Sequence, residues 1–303
     1  MTDLAQLVRT TLPPSVRIDE GPGGLPRVSI QGAQGVAEVY FQGAHVTAWH
    51  PAAAREPVLW RSRKSVFEPG KPIRGGVPIC FPWFGPHPSG ASSPAHGFAR
   101  LRQWRLVDAR EDAAGTVELA MELAGEGVSP LWPHRFRVIH RITMGPILRM
   151  NLEVHNDGPD AFTFEEALHT YFSVGDVRGV TLAGLEDSEY LDKVAGGGGR
   201  RQGTGPIRFT GETDRIYLDT RAACVIHDPA GRRQISVSKT NSDSTVVWNP
   251  WIDKSRAMPD FGDDEWPEML CVETCNVNVH ARTLPPGGSH TMTAVITAQD
   301  LQD

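Results

Sequence analysis

"LRMNLEVHNDGPDAFTFEEALHTYFSV", residues 148–174, begins in strict alternation. Leu148, Met150, Leu152 and Val154 fall on one face, and Arg149, Asn151, Glu153 and His155 on the other. A period of two marks a half-buried strand, because successive side chains point to opposite sides of the pleat. Asn156-Asp157-Gly158-Pro159 supplies a turn, and a second strand is expected over 162–174. On that strand Phe164, Leu168, Phe172 and Val174 share an apolar face interrupted by Glu166 and Thr170. His169 points the other way, beside Glu165, Ala167 and Tyr171. That second face suits solvent, another sheet or the floor of a cleft.

The same pattern recurs in "GVAEVYFQGAHVTAW", "TVELAMEL", "FRVIHRIT", "AACVIHD", "QISVSKT", "STVVWN" and "HTMTAVITA", punctuated by 31 glycines and 24 prolines. Helical spacing is confined to Leu4, Leu7, Val8 and Leu12, which predict a short helical segment over about 3–12, stopped by Pro13-Pro14. No repeat and no shift in composition divides the chain. The expected fold is all-β, a single domain over 1–303 built as one large antiparallel β-sandwich with long loops, since such domains commonly exceed 200 residues.

Composition removes several function classes. With 30 basic against 36 acidic residues and a net charge of −6, the chain lacks the global basic field of a nucleic-acid binder. "MTDLAQLVRT" has no apolar core of a secretory leader, and no run reaches the ~18 apolar residues of a membrane helix. Four cysteines in 303 residues fit a reduced compartment rather than a disulfide scaffold. "VAGGGGRRQGTG", residues 194–205, lacks the Lys-Ser/Thr and the following helix of a phosphate-binding loop, and reads as an exposed loop.

Three features carry chemistry. In "LCVETCNV", Cys271 and Cys275 lie about 13 Å apart if the segment is extended. That is too far for a disulfide, which needs Cα atoms within about 7 Å, or for one shared zinc. Glu273 then sits on a face with Cys271, Cys275, Val277 and Val279, where a carboxylate must be paired, hydrogen-bonded or open to a cleft. A buried structural ion pair and a perturbed catalytic carboxylate both fit this placement. His169 is equally open, although His169 with Glu273 would make an acid/base couple if the fold brought them to one substrate. The third feature is a basic concentration: Arg61, Arg63, Lys64, Lys71, Arg74, then His96, Arg100, Arg102 and Arg105. It suits a bound phosphate or a solvated loop. Trp83 and Phe84 suit either a sugar face or the core.

"PIRGGVPICFPWFGP", "AHGFAR", "EEALHTYF", "LEDSEYLDKV", "TGETDRIY", "VVWNPW" and "MLCVETCNV" occur, in this order, in a sequence that resembles the hexose-6-phosphate 1-epimerases. These are the phosphosugar branch of the aldose 1-epimerase (galactose mutarotase-like) superfamily, and the resemblance runs from about Gly43 to the C-terminus. It implies a large antiparallel sandwich with a cleft on a concave sheet, and interconversion of the anomers of an aldohexose 6-phosphate, typically D-glucose 6-phosphate. It implies His169 as general acid and Glu273 as general base. Arg74, His96, Arg100 and Asp214 are implied as substrate contacts, with Arg74 and Arg100 toward the phosphate. Leu101 follows Arg100 where many relatives have Asn, so a contact from that Asn is not carried over. No cofactor and no metal is implied, the partner is a small-molecule sugar phosphate rather than nucleic acid or membrane, and a cytoplasmic monomer is expected. An epimerase for free aldoses and a non-catalytic sugar-phosphate-binding module are the competing readings, the latter because fold does not dictate function.

Overall fold

The computed structural model describes residues 7–90 and 92–301. Strands dominate, and their pairings are antiparallel throughout. A nine-stranded sheet runs from the short strand Ile207–Arg208 at one edge to Arg105–Glu111 at the other, with Ser289–Asp300 and Leu148–Asn156 side by side near its middle. An eight-stranded sheet carries, in order, Gly198–Arg201, Glu189–Asp192, Thr213–Tyr217, Ser244–Asn249, Met269–Asn276, Glu166–Leu168 and Ile79–Cys80. Tyr171–Ser173 pairs alongside Met269–Asn276. A four-stranded sheet is built from Val16–Glu20 to His45–Pro51.

The alternation behaves as expected at Leu148–Asn156, whose even-numbered residues are buried and whose odd-numbered ones reach toward solvent. Met150, Leu152 and Ile296 of the nine-stranded sheet share one apolar cluster with Val247, Leu270 and Val272 of the eight-stranded sheet. Two sheets closing on a common core make the sandwich. Met269–Asn276 is buried at all eight positions. One of its faces meets the sandwich core, and the other is covered by loops and by the helix Trp251–Ala257.

Three expectations are revised. The strand expected over 162–174 is broken into Phe162–Phe164, Glu166–Leu168 and Tyr171–Ser173, the first of which pairs with Arg282–Leu284 in a separate two-stranded sheet. The glycine-rich loop is exposed, but Gly198–Arg201 within it adds an edge strand to Glu189–Asp192. Val279 does not continue the face of Glu273. The strand ends at Asn276, a 3-10 turn follows over Asn278–His280, and Val279 is exposed. The helical segment expected over 3–12 falls in part on residues outside those described. From Val8 the chain is already bridged to Leu106, with Arg9 N–H donating to the Leu106 carbonyl at 2.9 Å.

Candidate active site

The break at His169 sets the geometry of the site. Leu168 pairs with Thr274 and Tyr171 with Cys271, so His169 lies opposite Glu273 in the register. Facing residues of an antiparallel pair project from the same side of the sheet. Here the ladder is interrupted: His169 N–H donates to the Pro78 carbonyl at 3.0 Å, and Tyr171 N–H to that of Gly76 at 2.9 Å. The side chains nevertheless meet, with His169 Nε2 at 3.4 Å from Glu273 Oε1.

The surrounding motifs explain how the backbone comes so close. Gly76, with φ 62°, lies where a Cβ would stand 2.3 Å from the Val46 carbonyl oxygen. At Gly97, with φ 72°, a Cβ would stand 2.0 Å from that of Phe81. Only glycine fits either position. These two turns present Arg74 and His96 to the same cleft.

The cleft is about 250 Å³ in volume. Its floor is His169 and Glu273, 7% and 1% exposed. Phe84, Gly85 and His96 form one wall, Trp248 and Met258 line it elsewhere, and Arg74, Lys193, Asp214 and Lys254 add charge. Tyr171 stacks beneath His169 with ring centroids 4.8 Å apart and planes 8° from parallel. The Tyr171 hydroxyl accepts a hydrogen bond from Arg74 at 3.0 Å. His96 packs its edge against His169 at 5.7 Å, and its Nδ1 accepts from Gly85 N–H at 3.3 Å. The His169 imidazole is thereby held between rings, which fixes its plane.

Neither carboxylate oxygen of Glu273 has a hydrogen-bond partner, and neither has His169 Nδ1. Burial pushes the Glu273 carboxyl well above its ordinary range, and Asp214 adds to this, against Lys193 and Arg100. Burial pushes the His169 imidazole well below its ordinary range, helped by His96, Arg100 and Arg74. His96 is lowered in the same way, by burial and then by Arg100, Lys193 and Arg74. Burial thus drives the carboxyl and the imidazole each toward the neutral form, in which the pair carries one exchangeable proton on the carboxyl.

The remaining residues singled out in the sequence separate into groups. Asp214 lines the cleft, 3.4 Å from Lys193 Nζ. Arg74 lines it too, but its guanidinium forks onto Asp260 at 3.1 and 3.2 Å. Arg100 is not on the lining. It donates to the Ala95 carbonyl at 2.9 Å and acts on His96, His169 and Glu273 only through its charge. Arg61 pairs with Glu38, Arg63 with Glu265 and Glu268, and Lys64 with Asp263, all away from the cleft. Trp83 is core, whereas Phe84 faces the cleft.

Cys80, Cys224, Cys271 and Cys275 are buried free thiols. Burial pushes the thiol of Cys275 up to about 12, and raises the others as well, so none is a thiolate nucleophile near neutrality. Sequence reasoning missed Lys193, Lys254, Trp248 and Asp260. Tyr171 was signalled by period two, which placed it on the face of His169. A larger groove of about 360 Å³ lies on the four-stranded sheet, where Arg27 is already paired with Asp19 and Glu38. Among the described residues no helix is long and apolar enough to cross a membrane.

Residues 26–297 match the family described as Aldose 1-epimerase. A protein of Cenchrus ciliaris is 36% identical over 285 residues, covering 90% of this chain and 85% of its own. One of Escherichia coli K12 is 41% identical over 239 residues, covering 78% and 79%. Both bear the name "Putative glucose-6-phosphate 1-epimerase". The crystal structure of YeaD from Salmonella typhimurium superposes with a TM-score of 0.89 at 34% identity, over 96% of each chain. A galactose mutarotase-like protein from Clostridium acetobutylicum shares the fold, with a TM-score of 0.70 at 12% identity over 94% of this chain and 98% of that one.

Proposed function

This chain belongs to the aldose 1-epimerase family, and from that premise we propose that it interconverts the α and β anomers of D-glucose 6-phosphate, as a single-domain cytoplasmic monomer. The observation that carries the reading is the couple itself. An imidazole nitrogen and a carboxylate oxygen face each other at 3.4 Å on the floor of a cleft lined by three cationic side chains.

Ring opening needs a base to take the proton of the C1 hydroxyl and an acid to give one to the ring oxygen as the C1–O5 bond breaks. The open aldehyde turns about C1–C2, and reclosure runs the same transfers backward on the other face. Each half-reaction takes one proton from the site and returns one, so a pair that holds a single proton is complete in both directions. Glu273 serves as base and His169 as acid. Burial favours the neutral carboxyl and the neutral imidazole of this pair, and transfer of the carboxyl proton across the gap gives the carboxylate–imidazolium form at the same net charge. Asp214 accepts a sugar hydroxyl, and His96 borders the ring. Binding at the phosphate end holds C1 and O5 against the pair, which is where positioning lowers the barrier.

Anomer exchange on glucose 6-phosphate, read by NMR saturation transfer, tests the assignment. His169→Ala and Glu273→Gln are each expected to slow exchange about 10²- to 10⁴-fold. Full activity in either folded variant would remove that residue from the mechanism. Competing readings separate in the same assay: an epimerase for free aldoses would exchange glucose as efficiently as its 6-phosphate, and a binding module would exchange neither.

A further inference from the structure

We infer that a groove beside Asp243, separate from the sugar cleft, is a second binding site, and that its ligand is a small polycarboxylate held by Arg221, Lys239 and Arg282.

The groove encloses about 460 Å³, against about 250 Å³ for the cleft, and no residue lines both. It opens at Asp243, one residue before the strand Ser244–Asn249, whereas Val246 and Trp248 further along that strand line the cleft. Three cations line the groove, Arg221, Lys239 and Arg282, against one carboxylate, Asp243, so two positive charges are left over. His290 borders it as well, but its imidazole is held at 2.9 Å by Glu166.

The contacts already made here name the chemistry of the ligand. Arg221 Nε donates to Asp243 Oδ1 and Arg282 Nη2 to Asp243 Oδ2, both at 2.5 Å, so two guanidiniums share one carboxylate. Each guanidinium carries five donors in a fork that matches a planar carboxylate. Arg221 is held through Nε alone and is 80% exposed, and Arg282 Nε is buried without a partner. Lys239 Nζ donates to the Ser244 carbonyl and the Thr245 hydroxyl, both at 2.7 Å, which leaves its third donor unspent. Among the described residues no carboxylate pairs with it. Burial lowers the Lys239 ammonium from its ordinary range, and an anion entering the groove relieves that penalty. One oxyanion would fill a small part of this space. A molecule with two or three carboxylates spans the arginines and Lys239 together, and its bonds to them are charge-assisted. Asp243 is then its competitor for the two guanidiniums.

Equilibrium dialysis with isotopically labelled citrate tests the site. The wild-type protein is expected to bind citrate saturably, and saturating glucose 6-phosphate, directed to the cleft, should leave that binding unchanged. Lys239→Met should weaken it about tenfold or more, the worth of a hydrogen bond to a charged group. Arg221→Ala, at an exposed position, should weaken it about two- to fivefold, and decides the matter if Lys239→Met does not fold. Asp243→Asn should act in the opposite direction and tighten binding, because its charge no longer competes for the guanidiniums. Displacement of citrate by glucose 6-phosphate would place it in the cleft and overturn the inference. So would unchanged affinity in the folded Arg221 and Lys239 variants, or the absence of saturable binding. Tighter binding of inorganic phosphate than of citrate, weakened by the same substitutions, would overturn the polycarboxylate assignment.

Discussion

Two histidine–glutamate pairs lie close together in this fold, and they differ in how much hydrogen-bonding capacity each carboxylate leaves unspent. Glu166 and Glu273 are both buried on strands of the eight-stranded sheet, and each faces an imidazole: His290 at 2.9 Å and His169 at 3.4 Å. Glu166 Oε1 also accepts from the Asn276 amide at 2.8 Å, and Asn276 is held in turn by Asn241 and Arg282. Glu273 has no hydrogen-bonded neighbour at either oxygen, and opens on a cleft. One oxygen of the first carboxylate is met by fixed protein groups, His290 and Asn276, while its Oε2 is buried without a partner. The second leaves its hydrogen-bonding capacity for something the protein does not contain.

The largest expected effect breaks this contrast most directly. Glu166→Ala should destabilise the fold by about 1–3 kcal/mol, because the Asn276 amide loses one of its two acceptors and His290 loses its carboxylate. Once folded, it should exchange anomers at a rate close to that of the parent. Glu273→Gln should do the reverse, losing exchange while keeping or gaining stability. Urea denaturation beside the exchange assay reads both. If Glu166→Ala stops catalysis in a folded protein, the division between a structural and a working pair is wrong.

A second measurement sharpens the same contrast through pH. The folded pKa of Glu273 is raised above the ordinary 4.5, so the folded state holds that proton more tightly than the unfolded chain. Stability is then lost as pH rises from the unfolded value through the folded one, by up to about 1.4 kcal/mol per pH unit within that window. Gln cannot titrate and carries no such loss. Glu273→Gln should therefore gain on the wild type as pH rises above the ordinary carboxyl value of 4.5, and the gap should close below it. Parallel stability curves across that range would mean that Glu273 ionises freely in the folded protein.

Much of the architecture was legible because alternation survives wherever one face of a strand meets the core, as at Leu148–Asn156. The same rule placed Cys271, Glu273 and Cys275 on one face and Ala167, His169 and Tyr171 on another, and the register joins those two faces into one. Periodicity failed where a residue's partner is remote. His169 leaves the ladder for the carbonyl of Pro78, an acceptor some ninety positions earlier, so an apparently continuous strand is cut in three. The basic concentration misled for a related reason. The acids that pair with Arg63, Lys64 and Arg74 lie near residue 260, far away in the chain and adjacent in space. Lys193 and Lys254 of the cleft lining, being isolated, left no mark in the composition. Local chemistry was readable from residue type, whereas which charges remain available was decided by tertiary pairing.

The smallest expected effect concerns how the proposed acid/base pair is held. His169 lies flat on Tyr171, and the tyrosine hydroxyl takes the Arg74 hydrogen bond at 3.0 Å while Asp260 holds the other edge of the guanidinium. Tyr171 touches no reacting atom in this arrangement, and its phenol is pushed above its ordinary range, chiefly by burial, so it stays protonated at working pH. On the proposed mechanism it would position His169 rather than react. Tyr171→Phe keeps the ring under His169 and removes one hydrogen bond worth about 0.5–1.5 kcal/mol, so kcat should fall only two- to tenfold, with KM little changed. Tyr171→Ala also removes the stacking surface and should cost more in kcat than in KM, because the imidazole plane is no longer fixed. If Phe and Ala at 171 proved equal, the stacked ring would have no part in orienting His169. The pair would then be held by the Pro78 hydrogen bond and the strand register alone.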